Sequence, residues 1–483
     1  MKRYEEIAES LAGEIRSGQW PPGSRLPSIR ELTARHGISP ATAFNAYYRL
    51  EERGLVRARE RSGYFVTGGP QAIRAEPAAC ARTQLSSHVD ISELVFDVLG
   101  AAQDPAMLPL GSAFASPDLF PLSRLARSMA ASTRFIDPRE IVASLPAGNS
   151  QLREQIARRY LGMGMHVAPE ELIVTSGALE ALNLCLSAVA RPGDLIAIES
   201  PGFYAALQAL ERLGMKALEI PVHPKRGLDL AALANALDRH PVKACWFMTT
   251  FQNPMGASMA QESKQELVEL LARHNVPLIE DDVYGELYFG RHCPLPAKAF
   301  DRLGLVMHCS SFSKTLAPGY RVGWVAPGRY GQAIERLKLM TTLCASIPAQ
   351  VALADYLGSG GYDKHLRKLR HTLEGRLAVA NEALAAHFPA GARLSRPDGG
   401  YFLWVELDEG FDTLELHRTA AAHGIGLAPG PVFSASRTQY RHCLRLNFGA
   451  AGPDAMSNGI GNLGELIRSA GRGSQKAVKP APN

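Results

Sequence analysis

The chain has 483 residues, too many for a single hydrophobic core, and this length predicts two or three compact units. Hydrophobic residues make up 46% of the chain and charged residues 20%, a balance that excludes a fibrous or wholly disordered protein. The net charge of +5 is small, but residues 1–66 hold eleven Lys and Arg against eight Asp and Glu, which favours an anionic partner for that part.

Three helices are predicted at the start of the chain. The first covers residues 2–17, because apolar side chains recur four residues apart on one face. The second begins after Ser28, which together with Glu31 matches a capping box. The third begins after Ser39 and has proline at its first position, where a missing N–H is harmless. Its predicted apolar stripe consists of Ala43, Ala46, Tyr47 and Leu50.

The second and third helices, joined by a short turn at Gly37, have the order of a helix-turn-helix, which places its second helix in the major groove of DNA. Residues 55–66 then alternate around Gly63 and predict an arginine-bearing hairpin, suited to phosphate contact or to the minor groove. A three-helix module that binds another protein, with its arginines simply solvated, fits the helices alone equally well. The hairpin favours DNA. The outer face of the third helix presents Thr42, Phe44, Asn45, Tyr48 and Arg49.

This stretch resembles the GntR-type winged helix-turn-helix. The matching segments are Pro22–Ser28, Arg30–Leu32, Ser39–Thr42, Leu50–Glu51 and Arg53–Val56. The resemblance implies DNA contacts from Arg30, Ser39, Thr42, Asn45, Arg61 and Gly63. The chain departs from a guanine-reading helix at Pro40, Ala41 and Phe44, because none of these side chains makes bidentate hydrogen bonds with guanine.

The rest of the chain divides into three parts. Residues 67–88 are rich in Gly, Pro, Ala and Ser and are predicted to form a linker. Residues 89–469 alternate short apolar runs with amphipathic helices, which predicts an α/β domain. Residues 470–483 are poor in large apolar side chains, and a disordered tail is predicted there.

The cysteines and the N-terminus bear on the compartment. Seven cysteines, an odd number with no Cys-x-x-Cys pair, argue against disulfides and against a zinc site, and they fit a reducing cytoplasm; no metal site is predicted. Glu5 and Glu6 stand where a secretory signal would be apolar. No run approaches the ~20 apolar residues that cross a bilayer, so no membrane partner is predicted.

The large domain carries candidates for each part of a pyridoxal phosphate (PLP) site, and each follows a predicted strand. Lys314 can form the covalent bond with the aldehyde, and Asp281 can hold the pyridine nitrogen. Asn253 and Tyr284 can donate to the phenolic oxygen, and Tyr204 can stack on the ring. The phosphate candidates are Ser176, Gly177 and Ala178 at a helix start, with Ser311 and Arg321.

Each candidate alone has a simpler explanation, such as a surface lysine, a turn, a helix cap or a core aromatic. Their combined order resembles the fold-type I PLP enzymes of the aspartate aminotransferase kind over residues 90–468. The resemblance implies that Lys314 is the catalytic lysine and that Arg445 holds a ligand carboxylate. The chain departs from the family at Ala143, where a tyrosine commonly reaches the phosphate of the partner subunit. It also departs at residues 114–118, which lack the usual glycine.

Together the two units resemble the MocR subfamily of bacterial regulators. The implied fold is multidomain, a winged helix-turn-helix followed by an α/β fold-type I domain with a smaller α+β subdomain. The resemblance implies a cytoplasmic homodimer that binds an operator in double-stranded DNA and senses a small amine or amino acid. In this hypothesis the ligand displaces Lys314 from the cofactor, Arg445 holds any carboxylate, and closure of the large domain shifts the linker.

Two other functions remain open from the sequence. A working aminotransferase would use the same lysine to transfer protons, with an incidental N-terminal domain. A basic structural module would bind no cofactor at all. Only the first of these alternatives shares the PLP site.

Overall fold

The structure, a computed structural model, describes residues 3–16, 19–20, 24–52, 55–59, 63–66, 75–78, 84–86, 89–101, 104 and 106–477. Within these ranges, no helix is both long enough and apolar enough to cross a membrane.

The N-terminal unit is built from three helices and a hairpin. They are α1 (Arg3–Arg16), α2 (Ile29–His36), α3 (Pro40–Glu52), β1 (Val56–Arg59) and β2 (Gly63–Val66). The predicted capping box is present, since the Glu31 amide donates to Ser28 Oγ at 3.2 Å and the Ser28 amide donates to the Glu31 carboxylate at 2.7 Å. The predicted stripe of α3 is fully buried. Tyr47 of that stripe stacks on Tyr64 with ring centroids 4.3 Å apart, which fastens the hairpin to the helices.

The remaining elements belong to the large domain. Its strands are β3 (Gln84–Ser86), β4 (Ile173–Thr175), β5 (Leu195–Ser200), β6 (Lys216–His223), β7 (Gly227–Leu228), β8 (Val242–Phe247), β9 (Leu278–Asp281), β10 (Val306–Ser311), β11 (Gly323–Ala326), β12 (Arg393–Leu394), β13 (Phe402–Glu406), β14 (Ala428–Pro429) and β15 (Cys443–Asn447). Its helices are α4 (Ser92–Ala101), α5 (Leu122–Ser132), α6 (Pro138–Ala143), α7 (Ser150–Gly162), α8 (Ala178–Val189), α9 (Tyr204–Arg212), α10 (Leu230–Arg239), α11 (Gln261–His274), α12 (Gly331–Thr341), α13 (Ile347–Gly358), α14 (Gly361–His387), α15 (Thr413–Ala422) and α16 (Pro453–Ala477).

The central sheet positions the predicted site. Its described strands lie in the order β3-β6-β5-β8-β9-β10-β11-β4, with β7 paired to β6. The neighbouring strands β6, β5, β8, β9 and β10 are mutually parallel. Strand β4 shares their direction because β4 and β10 both run antiparallel to β11. Strands such as β5 are buried along their whole length, as expected for a sheet covered on both faces. The carboxyl ends of β4, β5, β8, β9 and β10 therefore meet at one edge.

A second, four-stranded antiparallel sheet has the order β12-β13-β15-β14. It packs with α14, α15 and α16 in the smaller subdomain, where β15 carries Arg445. The predicted fold class, a winged helix-turn-helix and an α/β domain with a smaller α+β subdomain, is confirmed.

Two boundary predictions differ from the structure. Parts of the predicted linker 67–88 pair with the large domain: the Leu394 amide donates to the Ala75 carbonyl at 3.0 Å, and β3 pairs antiparallel with β6. The rest of that linker lies outside the described residues. The tail predicted from residue 470 is also corrected, because α16 continues to Ala477. An amphipathic helix that is already packed can extend through polar residues without a new nucleus.

Candidate cofactor and DNA-binding sites

Asp281, the last residue of β9, carries a buried carboxylate. Its side chain is 1% exposed, and neither carboxylate oxygen has a hydrogen-bond partner among the described residues. Burial, reinforced by the charge of Asp282, raises the pKa of Asp281 to about 7, and the charges of Lys314 and His308 oppose that rise. A buried polar group without a partner is unfavourable. The carboxylate therefore fits a cationic ring nitrogen, such as that of a protonated pyridine.

Asn253 and Arg445 form a buried pair with donors to spare. Arg445 Nη1 donates to Asn253 Oδ1 at 2.8 Å, and Nη2 donates to the Gly111 carbonyl at 2.6 Å. Asn253 Nδ2 and Arg445 Nε have no hydrogen-bond partner within the described ranges. The guanidinium carbon lies 4.3 Å from the centroid of the Phe402 ring. A buried guanidinium whose acceptors here are both neutral fits an incoming carboxylate, and Asn253 Nδ2 fits a phenolic oxygen.

The ε-amino group of Lys314 is held by a single short segment. Its Nζ donates to the Ala113 carbonyl at 2.7 Å and lies 3.9 Å from the centroid of the Phe114 ring. The Tyr284 ring centroid is 5.9 Å away. Burial, followed by the positive charge of Arg445, lowers the pKa of Lys314 to about 7. An amine that is unprotonated in a large fraction of molecules near neutral pH can attack an aldehyde.

Two predicted tyrosines are buried among other aromatic rings. The Tyr284 ring meets Tyr401 edge-on at 5.3 Å between centroids, and the Tyr204 ring lies 6.1 Å from Phe433. Burial raises the pKa of the Tyr284 and Tyr204 hydroxyls, so both remain protonated and can act as hydrogen-bond donors.

The predicted phosphate turn is partly closed by the chain itself. The Ser176 amide donates to the Glu180 carboxylate, and the Gly177 amide donates to the Thr175 carbonyl at 2.8 Å. This differs from the expectation that both amides point at an anion. The amides available to an anion begin at Ala178, the first residue of α8, because first-turn N–H groups have no acceptor in the helix.

Arg321 lies over the same turn. Its Nη1 donates to Ser313 Oγ at 3.1 Å, and its Nη2 donates to the Ser176 carbonyl at 3.5 Å. A Cβ atom at Gly177 would lie 2.5 Å from Nη2, so only glycine allows this approach. Ser311 is buried at the end of β10, and its Oγ accepts from the Ser313 amide at 3.4 Å. A guanidinium, a helix start and hydroxyl groups together suit a phosphate.

A buried polar chain beside Asp281 was not predicted. His308 Nε2 lies 3.0 Å from the Asp282 carboxylate, and His308 Nδ1 lies 2.7 Å from the Tyr160 hydroxyl. Trp324 donates to the same hydroxyl at 3.0 Å. This series of hydrogen bonds holds the side chain of Asp282, the residue next to Asp281, in place. Its members come from α7, β10, β11 and the end of β9, so no local sequence pattern indicates it.

The predicted DNA contacts fall on the N-terminal unit. Arg30 and Asn45 are exposed on α2 and α3, respectively. Ser39 Oγ accepts from the Thr42 amide at 3.1 Å and caps α3, so its side chain is partly engaged. Gly63 begins β2 with φ 98°, in the left-handed region that favours glycine. Arg61 lies outside the described residues.

Comparison with protein families gives two matches. Residues 126–459 match the aminotransferase class I and II family, and residues 3–66 match the gntR family of bacterial regulatory proteins. A relative from Escherichia coli K12, the uncharacterized HTH-type transcriptional regulator YdcR, is 48% identical over 97% of this chain and 99% of its own length. This chain is a GntR-type regulator of the MocR subfamily.

Solved structures resemble the large domain of this MocR-type regulator. A multiple substrate aminotransferase from Thermococcus profundus has a TM-score of 0.73 at 28% identity, over 79% of this chain and 96% of that protein. LysN, an α-aminoadipate aminotransferase from Thermus thermophilus complexed with N-(5'-phosphopyridoxyl)-L-leucine, has a TM-score of 0.70 at 26% identity, over 79% of this chain and 99% of LysN.

The two departures of this MocR-type chain from the aminotransferase pattern are visible in its structure. Ala143 ends α6 and is exposed, so no hydroxyl extends from that position. Phe114 stands in the segment that lacks glycine; its side chain is 44% exposed, and its ring covers Lys314 Nζ. Phe114 and Ala113 were missed as site residues because their role arises from a contact with a lysine two hundred positions away.

Proposed function

We propose that this chain is a transcriptional regulator that binds PLP covalently through Lys314 and adjusts its DNA binding when an amine or amino acid reaches that site. The observation that carries this proposal is the set of unsatisfied groups around the lysine. Both oxygens of Asp281 and the amide nitrogen of Asn253 lack partners in the described part of the chain, which is where PLP needs an anion and a donor.

Each side chain would have a distinct role toward PLP, which supplies an electrophilic aldehyde and a ring that accepts electrons. Lys314, whose pKa is lowered, would hold PLP covalently at the aldehyde carbon. Asp281 would hold a proton on the ring nitrogen. Asn253 and Tyr284 donate to the phenolic oxygen, and Tyr204 covers the ring. Ala178, Ser311 and Arg321 hold the phosphate, with Ser176 and Gly177 shaping the turn.

The ligand would be a primary amine, because only an amine can displace Lys314 from the aldehyde. Arg445 is fully buried and has neutral hydrogen-bond acceptors, so a carboxylate on the ligand would gain a charge-assisted pair. An amino acid therefore satisfies the site better than a simple amine. Because the aldehyde and Arg445 would both be held in place, the site would also select the distance between the amine and the carboxylate of the ligand.

Ligand binding has a direct route to the segment that precedes the site. Lys314 and Arg445 donate to the carbonyls of Ala113 and Gly111, which lie in one stretch of chain. When both side chains turn to cofactor and ligand, those carbonyls lose their donors. The stretch follows α4 and the predicted linker, so a change there can reach the N-terminal unit. Coupling requires that the ligand binds the two conformations with different affinity.

We further propose a cytoplasmic homodimer that binds a DNA operator. Exposed apolar residues support a second copy as partner: Ile141, Val142, Leu339 and Met340. Lys338 donates to the Pro146 carbonyl and so holds the end of α12 beside the loop that follows α6. An exposed apolar patch of this kind marks an interaction surface.

The test combines cofactor loading and DNA affinity in the full-length protein. The DNA is a duplex selected from a random-sequence pool, and the ligands are a panel of amino acids and simple amines. We expect Lys314→Ala to lose covalent PLP and every ligand response while keeping its basal DNA affinity. Lys364→Ala, at an exposed lysine of α14, should behave as wild type.

Two results would contradict the proposed function. The first is a Lys314→Ala protein that still changes its DNA affinity with a ligand. The second is repeated turnover of an amino acid with a keto-acid acceptor in a protein whose DNA binding ignores every ligand, which is the behaviour of a working aminotransferase.

A further inference from the structure

The outer face of α3 carries two large aromatic side chains that remain half exposed. Phe44 and Tyr48 are each 50% exposed. They are four positions apart, so they are neighbours on one side of the helix. Pro40 and Ala41, one turn earlier, are exposed as well. These four residues form what is termed here the apolar recognition face.

The surroundings of the apolar recognition face suit a polyanion. Arg25 and Arg30 are exposed on the same small unit, and the Arg25 guanidinium approaches Gly63 of the hairpin. The first turn of α3 has no acidic residue, so the positive end of the helix dipole is not neutralised there. The match of residues 3–66 to the gntR family gives the same partner. Exposed cations on the same unit as an apolar helix face fit the phosphates and the base edges of a duplex groove.

Base edges differ in what an apolar side chain can recognise. In the major groove, only thymine presents a methyl group, and guanine is read mainly by arginine or lysine. The exposed side chains of α3 before Arg49 include no cation, and the amide of Asn45 suits adenine. A helix with this composition recognises A·T pairs better than it recognises G·C pairs.

We propose that Phe44 and Tyr48 recognise thymine by packing against its C5-methyl group in the major groove of the operator. This inference rests on the proposed function as a DNA-binding regulator and specifies what that regulator reads. The removal of one buried methyl group weakens binding about fourfold. A contact of this kind adds no phosphate contact, so it leaves the salt dependence of binding unchanged.

The experiment exchanges thymine for uracil, which differs only by that methyl group. Full-length protein selects a binding sequence from a random duplex pool, and the selected duplex is then synthesised with uracil at one thymine position at a time. We expect uracil to weaken wild-type binding about fourfold at one or two positions in each half-site. Phe44→Ala should weaken binding to the thymine duplex about tenfold and should no longer distinguish uracil from thymine at one of those positions.

Asn45→Ala is the matched control, because Asn45 is exposed on the same helix but has no apolar ring. It should lose affinity yet keep the uracil effect at the Phe44 position. The slope of affinity against salt should be equal in wild type and Phe44→Ala, and circular dichroism should report the same helix content.

Three results overturn the inference. Sequence-specific binding that is indifferent to uracil at every position contradicts methyl recognition but leaves the proposed regulator intact, whereas failure to select any sequence contradicts both. If Phe44→Ala and Tyr48→Ala bind the selected duplex as wild type does but change the oligomeric state, the apolar recognition face binds protein, and the inference is wrong.

Discussion

Replacing Asp281 with asparagine is expected to change the stability of the cofactor-free protein and its affinity for PLP in opposite directions. Burial raises the pKa of Asp281 from 3.8 to about 7. At about 1.4 kcal/mol for each pKa unit, ionising this carboxyl in the folded protein costs about 4 kcal/mol. The folded state binds more protons than the unfolded state between these two values. Stability therefore falls as the pH rises from about 4 to 7 and stays low above that range.

Asparagine cannot ionise, so the variant avoids this penalty. An unpaired buried amide offsets about 1–3 kcal/mol of the gain. At pH 8 the cofactor-free variant should be more stable than wild type by about 1–3 kcal/mol, and near pH 4 the advantage should disappear or reverse. PLP binding loses a charge-assisted hydrogen bond worth about 1.5–3 kcal/mol, so affinity should fall about tenfold to a hundredfold.

Urea unfolding of both cofactor-free proteins at pH 4.5 and pH 8, followed by absorbance titration with PLP, measures both effects. Asp97→Asn, at an exposed position of α4, is the control and should match wild type in both assays. A variant with the same pH dependence of stability as wild type would refute the raised pKa of Asp281, and unchanged PLP affinity would refute the assignment of Asp281 to the ring nitrogen.

Three further outcomes follow from the structure. Wild-type protein loaded with PLP should bind aminooxyacetate, which carries a carboxylate, about tenfold or more tightly than methoxyamine, which does not, as measured by visible absorbance. Arg445→Gln should remove this preference, and a retained preference would contradict the carboxylate site. Gly177→Ala should weaken PLP affinity because its Cβ would displace Arg321, whereas Gly162→Ala, with open space around it, should not; equal affinities would show that the turn is irrelevant. Ser28→Ala should destabilise the N-terminal unit by about 1 kcal/mol through loss of its capping box, seen as a lower Tm; an unchanged Tm would contradict the role of the cap.

Local patterns predicted much of the fold. The capping serines at 28 and 39 predicted where α2 and α3 begin, because cap and turn chemistry involve neighbouring residues. The apolar stripe of α3 predicted its buried face. Apolar runs with polar residues after them predicted the α/β domain and the strand ends near which Asp281 and Lys314 lie.

Contacts between distant parts of the chain could not be predicted in this way. The Ala113 carbonyl and the Phe114 ring meet Lys314 only because the segment before α5 returns to the end of β10. The Glu180 carboxylate accepts a hydrogen bond from the Ser176 amide. A glycine-containing turn before a helix does not by itself predict this contact. The strand at residues 84–86 is short and polar, and its pairing depends on the open edge of β6 rather than on its own composition.

The most direct test is borohydride reduction of the PLP-loaded protein, followed by digestion and mass spectrometry of the peptides. A phosphopyridoxyl group found on the peptide that contains Lys314, and absent when an amino acid that alters DNA binding is added before reduction, is the predicted result. A label on another lysine, or no label in a protein that still responds to the amino acid, would contradict the assignment of Lys314 as the residue through which the ligand is sensed.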